Sequence, residues 1–147
     1  MAEKPEREPA EKAGRRWPGS PWSQNVGGVV EEMRPGYSRL SLVVEPRHTN
    51  SRGSVHGGVI TSLMDAAVGI ALRASHEPGD PDLAGQTTIE MNVSFLKPAP
   101  LGERLVAEAR LLNKGRNLAV GDVEVKQQSG DLVAKGRLTY FILRRAR

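Results

Sequence analysis

The chain reads as α+β, one long helix laid against an antiparallel sheet, and three patterns in its 147 residues point there. Ile60, Leu63, Met64, Ala67, Val68, Ala71 and Leu72 fall at the i, i+3, i+4, i+7, i+8 spacing of a single apolar helical stripe. Between residues 87 and 95, and again in three later segments, apolar and polar side chains alternate with a period of two. Clusters of Gly, Pro, Asn and Ser punctuate the junctions.

Taken in order, residues 29–33 and 37–45 read as two strands joined across Arg34-Pro35-Gly36, where Pro and Gly supply turn dihedrals. The helix is expected over 59–72. Arg73 sits near its negative end, and Glu77-Pro78-Gly79-Asp80-Pro81 stops it. In the strand 87–95, Thr87, Ile89, Met91, Val93 and Phe95 share a face expected to be buried, opposite Thr88, Glu90, Asn92 and Ser94. Lys97-Pro98-Ala99-Pro100 closes that strand. Strands at 104–112, 118–126 and 132–143 follow, separated by Asn113-Lys114-Gly115-Arg116-Asn117 and Ser129-Gly130-Asp131. No internal repeat is present.

Composition sets the frame. A chain of this length suits one domain with a core of its own. Residues 1–25, rich in Pro, Glu, Lys and Arg, read as a flexible charged leader, although Trp17 and Trp22 are apolar enough to dock on the body. The domain proper is expected over 26–143, with a basic tail at 144–147. Cysteine is absent, which excludes disulfides, thiol catalysis and zinc–thiolate sites and leans toward a cytoplasmic setting. No stretch has the length and apolarity of a membrane helix or a secretory signal, so the reading is a soluble chain with no membrane partner.

The net charge of +4 invites a nucleic-acid reading, and its location argues against one. Taking the +1 of residues 1–16 and the +3 of Arg144, Arg145 and Arg147 from that total leaves residues 17–143 with no net charge. A nucleic-acid module carries its basic patch on the folded body, beside stacking aromatics.

The chemistry concentrates in Asn50-Ser51-Arg52-Gly53-Ser54-Val55-His56-Gly57-Gly58 and the helix that follows it. Gly57 and Gly58 at a helix start expose backbone N–H groups beside the positive end of the macrodipole, where a carbonyl oxygen gaining charge is stabilised. Their plainer reading is a tight loop-to-helix turn. Asp65 lies among Met64, Ala66, Ala67 and Val68, where helix propensity does not call for a carboxylate, which makes it the candidate reacting acid. Its plainer reading is the helix's solvent face. Asn50 can hold a water or a carbonyl oxygen, or merely fill a turn. His56 reads as support for the substrate or the loop rather than as a catalyst.

Other chemistries fit poorly. His48, His56 and Asp65 match no recognised metal-ligand spacing, Ser54-His56-Asp65 lacks a nucleophile elbow, and phosphate-cradling loops are absent.

The run His48-Thr49-Asn50, Gly53, His56-Gly57-Gly58 and Asp65-Ala66-Ala67, followed by Glu90-Met91-Asn92, Phe95-Leu96-Lys97-Pro98-Ala99 and Gly102, resembles the hotdog-fold thioesterases of the PaaI-like group. The resemblance spans roughly residues 26–143. It implies a curled antiparallel sheet around one central helix, assembled as dimers or as homotetramers that are dimers of dimers, hydrolysing acyl-CoA thioesters. It implies no cofactor apart from the coenzyme A of the substrate, and no metal. In this family the N–H at the Gly57 position polarises the thioester carbonyl, and the acid at the Asp65 position activates water or attacks directly. The family's hydroxyl position falls on Thr88 when Glu90-Met91-Asn92 is the anchor, with Thr87 as competitor on the opposite face. Asp65 lies about 12 Å along the helix from Gly57, too far for one carbonyl to meet both in one subunit. The family answers this with sites built across the dimer interface, Asn50, His56 and Gly57 of one chain facing Asp65 and the hydroxyl of the other.

Gly58, Lys114 and Arg116 are candidate substrate contacts, the two cations for the phosphates of coenzyme A or as ordinary solvated turn charges. The hotdog dehydratases pair a catalytic His with a helix Glu, so the Asp65 context favours hydrolysis. A non-catalytic acyl-CoA-binding hotdog, acting as a sensor, is the alternative.

Overall fold

The expected stripe becomes one face of α2 (Gly57–Arg73), and all seven of its apolar residues are buried, with Ile70 beside them. The computed structural model describes residues 15–16 and 20–146. Around α2 curls a seven-stranded, wholly antiparallel sheet made of β1 (Arg15–Arg16), β2 (Val29–Arg34), β3 (Tyr37–Val43), β4 (Leu83–Phe95), β5 (Arg104–Lys114), β6 (Leu118–Lys126) and β7 (Leu132–Arg144). The order across the sheet is β1-β2-β3-β5-β6-β7-β4, so β4, which follows the helix in sequence, crosses to the far edge. This is the hotdog arrangement that the resemblance implies. Inward residues such as Leu40, Leu42, Leu105, Ala107, Val123, Leu138 and Ile142 close over α2 as one continuous core. The Ser38 hydroxyl donates to the Ala67 carbonyl at 2.6 Å, tying the helix to β3 by a buried polar contact as well as by packing.

The leader differs from expectation. Pro21–Val26 form a helix, α1, opened by a capping box: Ser20 Oγ accepts from the Ser23 amide, and Ser23 Oγ accepts from the Ser20 amide. Ser23 and Val26 are buried, and Trp22 Nε1 donates to Ser62 Oγ on α2 at 3.1 Å. Composition pointed the other way because a six-residue helix can rest on caps and tertiary contacts rather than on its own apolar content. Trp22 meets the body through that hydrogen bond while the residue stays 59% exposed, and Trp17 and residues 1–14 lie outside the described residues. At the other end β7 runs on to Arg144, whose guanidinium meets Asp80 at 2.9 Å, so the basic tail begins inside the sheet.

A short 3₁₀ turn, Pro46–His48, leads from β3 toward the loop. Its His48 is buried with both ring nitrogens engaged: Nδ1 accepts from the Glu45 amide at 3.0 Å, and Nε2 donates to the Val26 carbonyl at 2.8 Å. These partners fix its tautomer and join α1 to the turn.

β4 departs most from the sequence pattern. Its register shifts between Thr88 and Glu90, so the alternation is interrupted at Ile89. Most of the face expected to be buried is open: Ile89 is 56% exposed, Met91 39% and Phe95 54%, and Val93 alone of its apolar residues packs against the core. Strand alternation distinguishes two faces but does not say what covers them.

Candidate active site

The loop before α2 is a small closed unit. The Asn50 amide donates to the Ser54 carbonyl at 2.7 Å, and the Gly53 amide to the Asn50 carbonyl at 3.0 Å, with Gly53 at φ +78° where glycine is favoured. Asn50 Oδ1 accepts from the amides of Arg52 (2.9 Å) and Ser54 (3.3 Å). The side chain thus fills the turn, and these donors identify its oxygen, leaving the NH₂ as the end able to serve a ligand.

His56 caps the helix. Its Nδ1 accepts from the Gly58 amide at 2.8 Å, while its own amide donates to the His48 carbonyl at 2.7 Å. That cap corrects the expectation for Gly58, whose N–H is consumed and is not free for substrate. Val59 and Ile60 donate to the His56 carbonyl. Gly57 remains, and its N–H meets no acceptor among the described residues. A Cβ on Gly57 would stand 3.3 Å from Phe95 Cζ, so the missing side chain gives the aromatic ring its place beside the donor. This end of α2 opens into a cleft of about 550 Å³ lined by Asn50, Arg52, Gly57, Ile60, Phe95 and Lys97, among others.

Asp65 sits two turns on, half-buried on the flank of α2. Its Oδ1 accepts from Thr88 Oγ1 at 2.6 Å and from the Tyr140 hydroxyl at 2.6 Å, and that hydroxyl also lies 2.7 Å from the Asp65 carbonyl. Of the two threonines, Thr88 is therefore the one at the acid. It pairs across the ladder with Tyr140, whereas Thr87 pairs with Phe141, is exposed, and makes no bond to Asp65. Burial first, then the neighbouring charge of Asp65 and the hydrogen bond to it, push the Tyr140 phenol far above its ordinary value of 10.0, so it stays protonated as a donor. The cleft here, about 430 Å³, is lined among others by Trp22, Ser62, Asp65, Arg73, Thr88 and Tyr140.

Tyr140 escaped the sequence reading. The available signal was its position on the apolar face of β7 between Leu138 and Ile142, where a phenol needs a polar partner for its hydroxyl.

The two clefts share no lining residue. Asn50 and Gly57 line one, Asp65 and Thr88 the other, so a single chain keeps these two groups of candidate residues apart. Lys114 and Arg116 line neither: Lys114 Nζ donates to the Ser75 carbonyl at 2.6 Å beyond the C-terminal end of α2, and the Arg116 carbonyl accepts from Arg144. Their expected role toward coenzyme A has no support within one subunit. Among the described residues no helix is long and apolar enough to cross a membrane.

Comparison with known proteins bears on this geometry. The family model described as the thioesterase superfamily matches residues 52–134, which takes in Gly57, Asp65 and Thr88. Mouse acyl-coenzyme A thioesterase 13 is 36% identical over 139 residues, covering 82% of this chain and 96% of that protein. The crystal structure of zebra fish thioesterase superfamily member 2 superposes with a TM-score of 0.69 at 32% identity, over 78% of this chain and 80% of that one. A Streptococcus mutans protein solved bound to acetyl CoA gives a TM-score of 0.71 at 25% identity, over 80% and 90%.

Proposed function

The chain belongs to the thioesterase superfamily, and we propose that it hydrolyses acyl-CoA thioesters to free acid and coenzyme A at sites completed between two copies. The separation of the half-sites carries the reading: the free Gly57 N–H and the Asp65 carboxylate open into clefts with no residue in common. Placing the Gly57 cleft of one chain over the Asp65 cleft of another supplies both, and a twofold arrangement makes two such sites. The sheet offers a surface for that pairing. β4 is an edge strand of 13 residues that exposes Ile89, Met91 and Phe95, and a long apolar edge is a template for another chain.

In this assembly the thioester carbonyl oxygen faces the Gly57 N–H and the positive end of α2, which stabilise the oxyanion as the carbonyl carbon becomes tetrahedral. The Asn50 NH₂ steadies the attacking water or the same oxygen. His56 acts indirectly, by capping the helix. Asp65 of the partner subunit either takes the proton of the attacking water or attacks the carbonyl itself to give a mixed anhydride that water then opens. Both routes expel the coenzyme A thiolate and need no cofactor. Mouse acyl-coenzyme A thioesterase 13, by its name, and the acetyl CoA bound to the Streptococcus mutans structure support this substrate class.

Mixing two inactive variants tests the shared site. Asp65→Ala and Asn50→Ala chains, unfolded and refolded together, form mixed dimers in which one site carries both lesions and the other carries none. Random assortment should then return about a quarter of wild-type thiol release from an acyl-CoA panel. A mixture no more active than its components, or a fully active monomer in sedimentation, would exclude the shared site. Binding of acyl-CoA without thiol release would favour the sensor instead.

A further inference from the structure

We infer that Tyr140 is a positioning residue for Asp65, holding one carboxylate oxygen so that the other, Oδ2, is presented to the reaction. The inference rests on the reading of Asp65 above and adds to it. Tyr140 and Thr88 are cross-strand partners on β7 and β4, so their hydroxyls rise side by side from adjacent strands. Both end on Oδ1 at 2.6 Å. Among the described residues nothing donates to Oδ2. Hydrogen bonds to an ionised oxygen are short and strong, and two of them on the same atom fix both the side-chain rotamer and the identity of the free oxygen.

The phenol contributes what the threonine alone cannot. It reaches the Asp65 main-chain carbonyl at 2.7 Å as well, so its single proton is shared between the carboxylate and the helix that carries it. Tyr140 is 5% exposed and part of the core, whereas Thr88 is on an edge strand. Gly69, one turn past Asp65, makes room: a Cβ there would lie 2.8 Å from the phenol oxygen, closer than such contacts occur. A phenylalanine fills the same volume. The hydroxyl is therefore present for the bond it makes.

The test is steady-state hydrolysis of the fastest acyl-CoA of the panel by the full chain. Tyr140→Phe is expected to lower kcat about 10- to 100-fold, the value of one hydrogen bond to a charged group, with KM moving less than about threefold. Gly69→Ala, which keeps the phenol but crowds its hydroxyl, should lower kcat in the same direction although alanine favours a helix. Thermal unfolding checks that each variant is folded, and if Tyr140→Phe is not, Gly69→Ala carries the test with the same KM-against-kcat criterion. A kcat within about twofold of wild type, or a loss confined to KM or to melting temperature, overturns the inference. Asp65→Asn separates the two readings. If it keeps full turnover, the role of Asp65 falls and this inference with it; if it is inactive while Tyr140→Phe is fully active, only the role of Tyr140 falls.

Discussion

The two ends of the candidate chemistry sit on the same helix and are built by opposite means. At the N-terminus of α2 the candidate group is a backbone N–H, and the surrounding residues leave it alone: His56 takes the Gly58 amide, Asn50 closes its own loop, and Gly57 is left bare. Two turns later the candidate group is a side chain, held by hydroxyls from two strands remote in sequence. The first cluster is local and made by subtraction. The second is assembled by the tertiary fold, so it is the half more exposed to substitutions far away.

The largest effect should come from the assembled half. Asp65→Ala is expected to lower kcat by about 10²–10⁴, the usual worth of an acid–base group, with the chain still folded and paired. Retention of near-wild-type turnover would remove the carboxylate from the mechanism altogether.

The subtractive half is probed best through the backbone. Gly57 is the first residue of α2, a position where proline is tolerated, and His56 before it has φ −69° and ψ 137°, which proline accepts in its predecessor. Gly57→Pro deletes the N–H and should cost about 10²–10³ in kcat. Gly57→Ala brings the same Cβ against Phe95 but keeps the donor, so it should cost much less. Equal losses in the two variants would show that crowding, and not the missing donor, explains the effect.

Smaller still is the cap. His56→Ala removes the acceptor of the Gly58 amide and should cost about 0.5–2 kcal/mol of stability in denaturant unfolding, with a lesser fall in kcat than at Asp65. A fall in kcat as deep as that of Asp65→Ala would promote His56 from support to chemistry.

The smallest effect is on stability at high pH. The Tyr140 phenol has its folded pKa raised above 10.0, so the folded chain keeps a proton that the unfolded chain loses. That contribution is fully present below pH 10 and fades as pH rises beyond it. The wild type should accordingly lose stability above pH 10 more steeply than Tyr140→Phe, and parallel curves would mean that the phenol is not held as described.

What the sequence disclosed follows the same division. The α2 stripe and the six longer strands were legible because their periods are local, and the anchor Glu90-Met91-Asn92 selected Thr88, which the structure places on Asp65. Plain alternation groups Thr88 with Glu90 on the face expected to be open; the irregularity at Ile89 breaks that count and turns Thr88 inward, and no local pattern announces it. The consumption of the Gly58 amide by His56 depends on a ring orientation, not on spacing. Tyr140 lies 75 positions from the acid it touches. Ile89, Met91 and Phe95 of β4 stay exposed in the single chain, because alternation marks a face without saying what covers it.

That open edge has a kinetic meaning. If each working site draws its donor from one chain and its acid from another, a lone chain is catalytically silent. At concentrations well below the pairing constant, the rate then grows with the square of chain concentration rather than in proportion to it. Expression level would act as a threshold on thioester turnover, and dilution alone would switch it off.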